Sequence, residues 1–133
     1  MIIVLDANVL FSALLGSRKT IEFLIKSDNE FYAPEFVVIE VRKYKTTVRE
    51  KATITEADFN AALEALLKFI TLVDEQEYKE HLIKAKKAMQ TSDQKDAPYI
   101  ACALALKADI VCTNDKHFAA QTLVKTKTTK QVT

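Results

Sequence analysis

Four acids stand out in this sequence of 133 residues: Asp6, Glu40, Asp96 and Asp115. Asp6 ends the apolar run Ile2-Ile3-Val4-Leu5, and Asp115 follows Ile110-Val111-Cys112-Thr113-Asn114. Asp96 stands at the entrance to a stretch, residues 97–106, without a charged residue. Glu40 falls between Phe36 and Tyr44 on the apolar arc of a helix. An acid on an inward face is costly unless it is paired or holds a cation. Brought together, four carboxylates repel and raise one another's pKa values, and a divalent cation relieves that repulsion. Oxygen ligation without clustered His or Cys suits Mg²⁺ or Mn²⁺ rather than Zn²⁺. The chemistry that follows is phosphodiester hydrolysis, in which one or two such ions lower the pKa of a bound water and clamp the attacking and leaving oxygens. No base on the protein is then essential, in keeping with a chain of only two histidines.

Each acid also has an ordinary reading. Asp6 can be a turn residue, and Glu40 one half of a buried salt bridge. Asp96 can be an N-cap, a job for which Asp93 also qualifies. Asn8, Thr113 and Asn114 can hydrogen-bond the carboxylates or waters around a cation, although Asn8 equally suits the turn after the first strand. Asp109 sits at the wrong end of its strand and reads as a turn residue.

The elements that must position these acids alternate between strand and helix. Residues 2–5 form a short apolar run rich in β-branched side chains, the mark of a strand buried on both faces of a parallel sheet. A mostly apolar helical stretch follows and breaks at Gly16-Ser17, the site of the only glycine. Ile21, Leu24 and Ile25 keep helical spacing through residue 27, and Phe31-Tyr32-Ala33 reads as a short strand. Pro34 suits a helix start, and residues 35–49 read as one helix with Val37, Val41, Tyr44 and Val48 on a stripe. Thr55-Glu56-Ala57-Asp58 is a capping box opening a helix through residue 70. Residues 70–73 read as a third strand and residues 75–89 as an amphipathic, charged helix, with Lys84, Lys86 and Lys87 on a solvated face and His81 a surface histidine. The stretch of residues 97–106, apolar all round, belongs in the middle of the domain, and residues 109–115 hold another buried strand. Leu123-Val124 reads as a last edge strand, and residues 125–133, rich in Lys, Thr and Gln, as a mobile tail. The expected fold class is therefore α/β, with a short, mainly parallel sheet between helices. Right-handed crossovers put the strand C-termini, and with them Asp6 and Asp115, on one edge. That edge is where ligands bind in open α/β sheets.

Composition sets outer bounds. The length suits one domain, and 49% hydrophobic residues fill a core. The net charge of +1 argues neither for nor against a nucleic-acid partner. Cys102 and Cys112 lie in apolar segments without metal-ligand spacing and read as small buried hydrophobes of a reducing, cytoplasmic protein. No signal peptide or membrane span is expected. One glycine rules out Gly-rich phosphate loops.

The opening Ile-Ile-Val-Leu-Asp-Ala-Asn-Val-Leu, the inward Glu40, the helix start Asp96-Ala-Pro-Tyr-Ile-Ala-Cys-Ala-Leu and the strand ending Thr113-Asn114-Asp115 together resemble the PIN domain family, in order and over nearly the whole chain. The resemblance implies an α/β/α sandwich over residues 1–124 and a metal-dependent endoribonuclease that leaves 5′-phosphate and 3′-hydroxyl ends. It maps the catalytic metal site onto Asp6, Glu40, Asp96 and Asp115. It further implies a homodimer and, as in many members, a toxin neutralised by a small antitoxin. Two points stay open: Asp93 can share or replace the role of Asp96, and Asn114 rivals Asp115 as the fourth ligand.

Other readings fit less well. A phosphatase using Asp6 as nucleophile wants a second acid two residues on, where this chain has Asn8. A receiver domain wants paired acids before the phosphoacceptor strand. A catalytically silent PIN-like module that binds RNA or protein is the alternative from another class, and a complete acidic quartet weighs against it.

Overall fold

The computed structural model describes residues 1–132. Its centre is β1 (Ile2–Leu5), whose Ile3, Val4 and Leu5 are fully buried. The chain continues through α1 (Ala7–Leu14), α2 (Arg18–Lys26), β2 (Glu30–Pro34), α3 (Phe36–Lys43), α4 (Lys45–Ala52), α5 (Glu56–Leu67) and β3 (Ile70–Val73). It then runs through α6 (Glu75–Tyr78), α7 (Leu82–Ala88), α8 (Ala97–Leu106), β4 (Ile110–Cys112), β5 (Thr126–Lys127) and α9 (Thr129–Val132). The sheet order is β3-β2-β1-β4-β5, and every pairing is parallel.

That order dictates the layers. From β1 to β3 the chain moves one way along the sheet, and from β3 it returns past β1 to β4. Right-handed crossovers put the helices of the outward run on one face and those of the return run on the other. Accordingly α1 packs with α2, α3, α4 and α5, whereas α8 lies against β1, β2 and β4 with α6 and α7 beside it. The direction reverses between β1 and β4, the switch point where such sheets open a crevice beyond the strand ends.

Local chemistry accounts for most boundaries. Gly16 takes a positive φ of 94°, which glycine adopts freely, and so separates α1 from α2. Ser17 caps α2, its side chain accepting from the Thr20 amide at 3.4 Å. The capping box forms as the sequence predicts: Thr55 Oγ1 accepts from the Asp58 amide at 3.1 Å, and Asp58 accepts from the Thr55 amide at 3.2 Å. Asp109 accepts from the Ile2 amide at 2.7 Å and so ties the start of β1 to that of β4. Both cysteines are free and fully buried, and burial pushes their thiols up to about 12. No helix among the described residues is long and apolar enough to cross a membrane.

Three expectations need correction. The helix expected over residues 35–49 is two helices, α3 and α4, because the backbone turns at Tyr44 (φ −102°, ψ 17°). The charged helix over residues 75–89 is likewise broken, by a 3-10 turn over Lys79–His81. The last strand lies at Thr126–Lys127, within the segment expected to be a tail, and not at Leu123-Val124. Buried Gln121 explains the difference: it donates to the Val124 carbonyl at 2.8 Å and accepts from the Val124 amide at 3.0 Å, holding those residues in a loop. Beyond it the backbone pairs with β4, Val111 N donating to Lys125 O at 2.9 Å and Thr113 N to Lys127 O at 3.0 Å.

Candidate active site

Asp6 and Asp115 leave the C-terminal ends of β1 and β4, the two strands that flank the switch point. Asp96 enters from the start of α8, and Glu40 from the second turn of α3, which follows β2. All four side chains line one cleft of about 430 Å³, together with Asp93 and His117. Carboxylate oxygens of Asp6, Glu40 and Asp96 lie within 4.8 Å of one another.

Each carboxylate is held by its own neighbours. Asp6 is 3% exposed and heads α1 without capping it. Instead its Oδ2 accepts from the Thr113 hydroxyl at 2.8 Å and from Asn8 Nδ2 at 3.2 Å. Glu40 Oε1 accepts a short hydrogen bond from the Tyr99 hydroxyl. Tyr99 is fully buried, one turn into α8 from Asp96, and its ring packs against Phe36 and Phe118. Asp115 Oδ1 accepts from the His117 amide at 2.9 Å, and the Asp115 amide donates to Thr113 Oγ1 at 2.9 Å. One threonine thus joins the ends of β1 and β4.

Asp96 differs from the others. It is 8% exposed, stands at the N-cap of α8, and makes no capping hydrogen bond with its side chain. The local capping falls to Asp93, which accepts from the Lys95 amide at 3.0 Å at the start of a short 3-10 turn. The N-cap reading therefore does not explain the Asp96 carboxylate. Nor does a salt bridge explain Glu40, whose hydrogen-bond partner is the Tyr99 hydroxyl. Asn114, the rival to Asp115, faces elsewhere: its Oδ1 accepts from the Thr129 amide at 3.2 Å at the start of α9. It touches neither Asp6 nor the cleft, so the expectation that it supports the carboxylates is corrected.

The electrostatics follow from crowding. Burial raises Asp96 to about 7, with Asp6, Asp93, Glu40 and Asp115 adding repulsion. Burial likewise raises Asp6 to about 6, although the Thr113 hydroxyl and the Ala7 amide pull it back. Burial also raises Glu40, against the opposing effect of the Tyr99 hydrogen bond. Lys51 is the one lysine or arginine lining the cleft among the described residues. A buried acid without a hydrogen-bond partner, all-oxygen donors and mutual repulsion together fit a hard divalent cation. In the sequence alone nothing assigns a role to His117 or Tyr99. Tyr99 was signalled as the lone polar group in an otherwise apolar helix, and His117 only by its closeness to Asp115.

The cleft has a second, less acidic wall. Tyr44, 47% exposed, stands edge-on to Phe11 at 5.6 Å between ring centroids, with Lys51 one helix further along the same rim.

A family model for the PIN domain matches residues 4–133. The chain belongs to the PIN domain family. Solved structures agree in fold. VapBC2 from Rickettsia felis, bound to a DNA fragment from its promoter, matches with a TM-score of 0.75 at 15% identity, covering 96% of this chain and 98% of that one. PAE2754 from Pyrobaculum aerophilum gives 0.70 at 14% identity over 98% and 85%. A toxin–antitoxin complex from Klebsiella pneumoniae gives 0.65 at 16% identity over 92% and 98%. No curated protein matches the chain in sequence. In this PIN domain the five parallel strands and two helical layers form the α/β/α sandwich that the sequence predicts.

Proposed function

We propose that this PIN domain is a divalent-metal-dependent endoribonuclease and the toxin of a toxin–antitoxin pair. The observation that carries the nuclease reading is Asp96: a buried carboxylate with no capping bond, grouped with Asp6 and Glu40 at the switch point of the sheet. PIN domains are generally nucleases, and the acidic set is complete in this one.

Asp6, Glu40 and Asp96 would hold Mg²⁺ or Mn²⁺, with Asp115 lining the same cleft. When bound, such an ion supplies positive charge against the phosphodiester and favours ionisation of an attacking water. The chain's own groups do the positioning. Thr113 and Asn8 orient Asp6, and Tyr99 fixes Glu40. The short reach of these bonds from rigid elements keeps the carboxylates in place. On the other wall, Lys51 suits a phosphate and the exposed face of Tyr44 suits an unstacked base, the two contacts by which single-stranded RNA is held.

The antitoxin and a cytoplasmic setting rest on likeness to the two toxin–antitoxin structures and on no contact in this chain. A homodimer is proposed on the family resemblance alone. The test is cleavage of single-stranded RNA by purified protein with Mg²⁺ or Mn²⁺. Cleavage that EDTA stops, and that Asp96→Asn lacks, supports the reading. A folded protein inert with every divalent ion would instead be a silent binding module.

A further inference from the structure

Four crowded carboxylates repel the polyanion they are proposed to cut, so a nucleic-acid strand needs cations on its flanks to enter the cleft. One flank is the wall that carries Lys51 and Tyr44. Beyond Asp115, toward the β5 edge of the sheet, lies a separate cavity of about 160 Å³. Lys116 and Lys127 line it with Thr126, Thr128 and Gln131, and Asp115 borders both this cavity and the acidic cleft. We propose that this cavity binds a backbone phosphate of single-stranded RNA, the neighbour of the one at the carboxylates, so that the strand leaves the cleft over the β5 edge; this rests on the nuclease reading above.

Three observations support it. Lys116 is exposed and Lys127 half-buried, and neither forms an ion pair among the described residues. Asp115 is engaged elsewhere, its Oδ1 accepting from the His117 amide at 2.9 Å and lying 3.3 Å from His117 Nδ1. Two compact ammonium groups on one small polar cavity suit a phosphate. Next, the cavity is built on fixed backbone. Thr113 N donates to Lys127 O at 3.0 Å, which holds β5 to the end of β4. Thr128 N donates to Gln131 Oε1 at 2.9 Å, and Gln131 N to Thr128 Oγ1 at 3.2 Å. The first of these bonds occupies the Gln131 acceptor and leaves Nε2 as a donor. Lastly, cleft and cavity meet at Asp115, so one continuous strand can lie in both.

The test is fluorescence anisotropy with a labelled single-stranded RNA, in an Asp96→Asn background that does not cleave it. Adding Lys116→Ala with Lys127→Ala should lower the slope of log affinity against log salt by about 0.7, the share of one phosphate, or about fivefold in affinity at about 0.1 M salt. Lys116→Arg with Lys127→Arg should keep the slope. An uncharged methylphosphonate at one linkage, beside the bond that the wild type cuts, should weaken the parent by a similar factor and the alanine pair not at all. An unchanged slope in the alanine pair, or a methylphosphonate that costs it as much as the parent at every linkage, would overturn the proposal. An RNA that the wild type binds but never cuts would instead remove the nuclease reading and leave the phosphate site to these binding measurements.

Discussion

The Thr113 hydroxyl donates to Asp6 Oδ2 at 2.8 Å and accepts from the Asp115 amide at 2.9 Å. A single buried side chain, 3% exposed, thereby sets the distance between the two acids that end β1 and β4. Thr113→Val keeps the volume and removes both bonds. We expect it to cost about 1–3 kcal/mol of stability, because an ionisable acceptor loses its donor in a buried place. Metal affinity should fall about 10- to 100-fold, as for other losses of a ligand's supporting bond. Calorimetric titration with Mn²⁺ measures this, and unchanged affinity would show that Asp6 is held by other means.

Tyr99→Phe removes only the hydroxyl that Glu40 accepts from. That bond favours ionised Glu40 against its burial. Without it the Glu40 carboxyl should titrate higher, and Mn²⁺ affinity near neutral pH should fall by about tenfold or more. Affinity should recover in part as the pH is raised, a dependence that a purely structural defect would not give.

The raised acids make stability depend on pH and on metal together. Folded Asp6 and Asp96 hold their protons up to about 6 and about 7, against an ordinary value of 3.8. Between those limits the folded chain binds more protons than the unfolded one, so this contribution to stability falls as the pH rises from 3.8 to about 7. A cation needs the ionised carboxylates and must expel those protons in acid. Added Mn²⁺ should therefore raise the melting temperature more near pH 8 than near pH 5. Thermal unfolding at the two pH values, with and without Mn²⁺, checks the sign.

Lys51 is proposed to meet a phosphate on the less acidic wall. Lys51→Ala should weaken RNA binding to all sequences alike, and lower the slope of log affinity against log salt by about 0.7, the share of one contact to a single strand. Tyr44→Ala should weaken binding by about 1–3 kcal/mol with the salt slope unchanged, since stacking releases no counterion. Fluorescence anisotropy with a catalytically dead variant separates the two.

Legibility in the sequence tracked burial. The runs of β1 and β4 and the uncharged α8 announce themselves, because extensive burial leaves no charged residue to confuse the period. Glu40 was readable as an acid on an apolar arc. The turn at Tyr44 was not, since no glycine or proline marks it and the bend places Tyr44 at the cleft rather than in the stripe. β5 was hidden because an edge strand of Thr and Lys is held by backbone bonds alone. Asn114 was misplaced for a related reason: only the position of α9 decides which way its amide faces.

The most direct test of the metal-held acidic cleft is the rate of single-stranded RNA cleavage by Asp6→Asn at saturating Mn²⁺, beside the wild type. The account predicts a loss of more than about a hundredfold, beyond what removal of a supporting bond costs, in a protein that remains folded. Cleavage at the wild-type rate would contradict it.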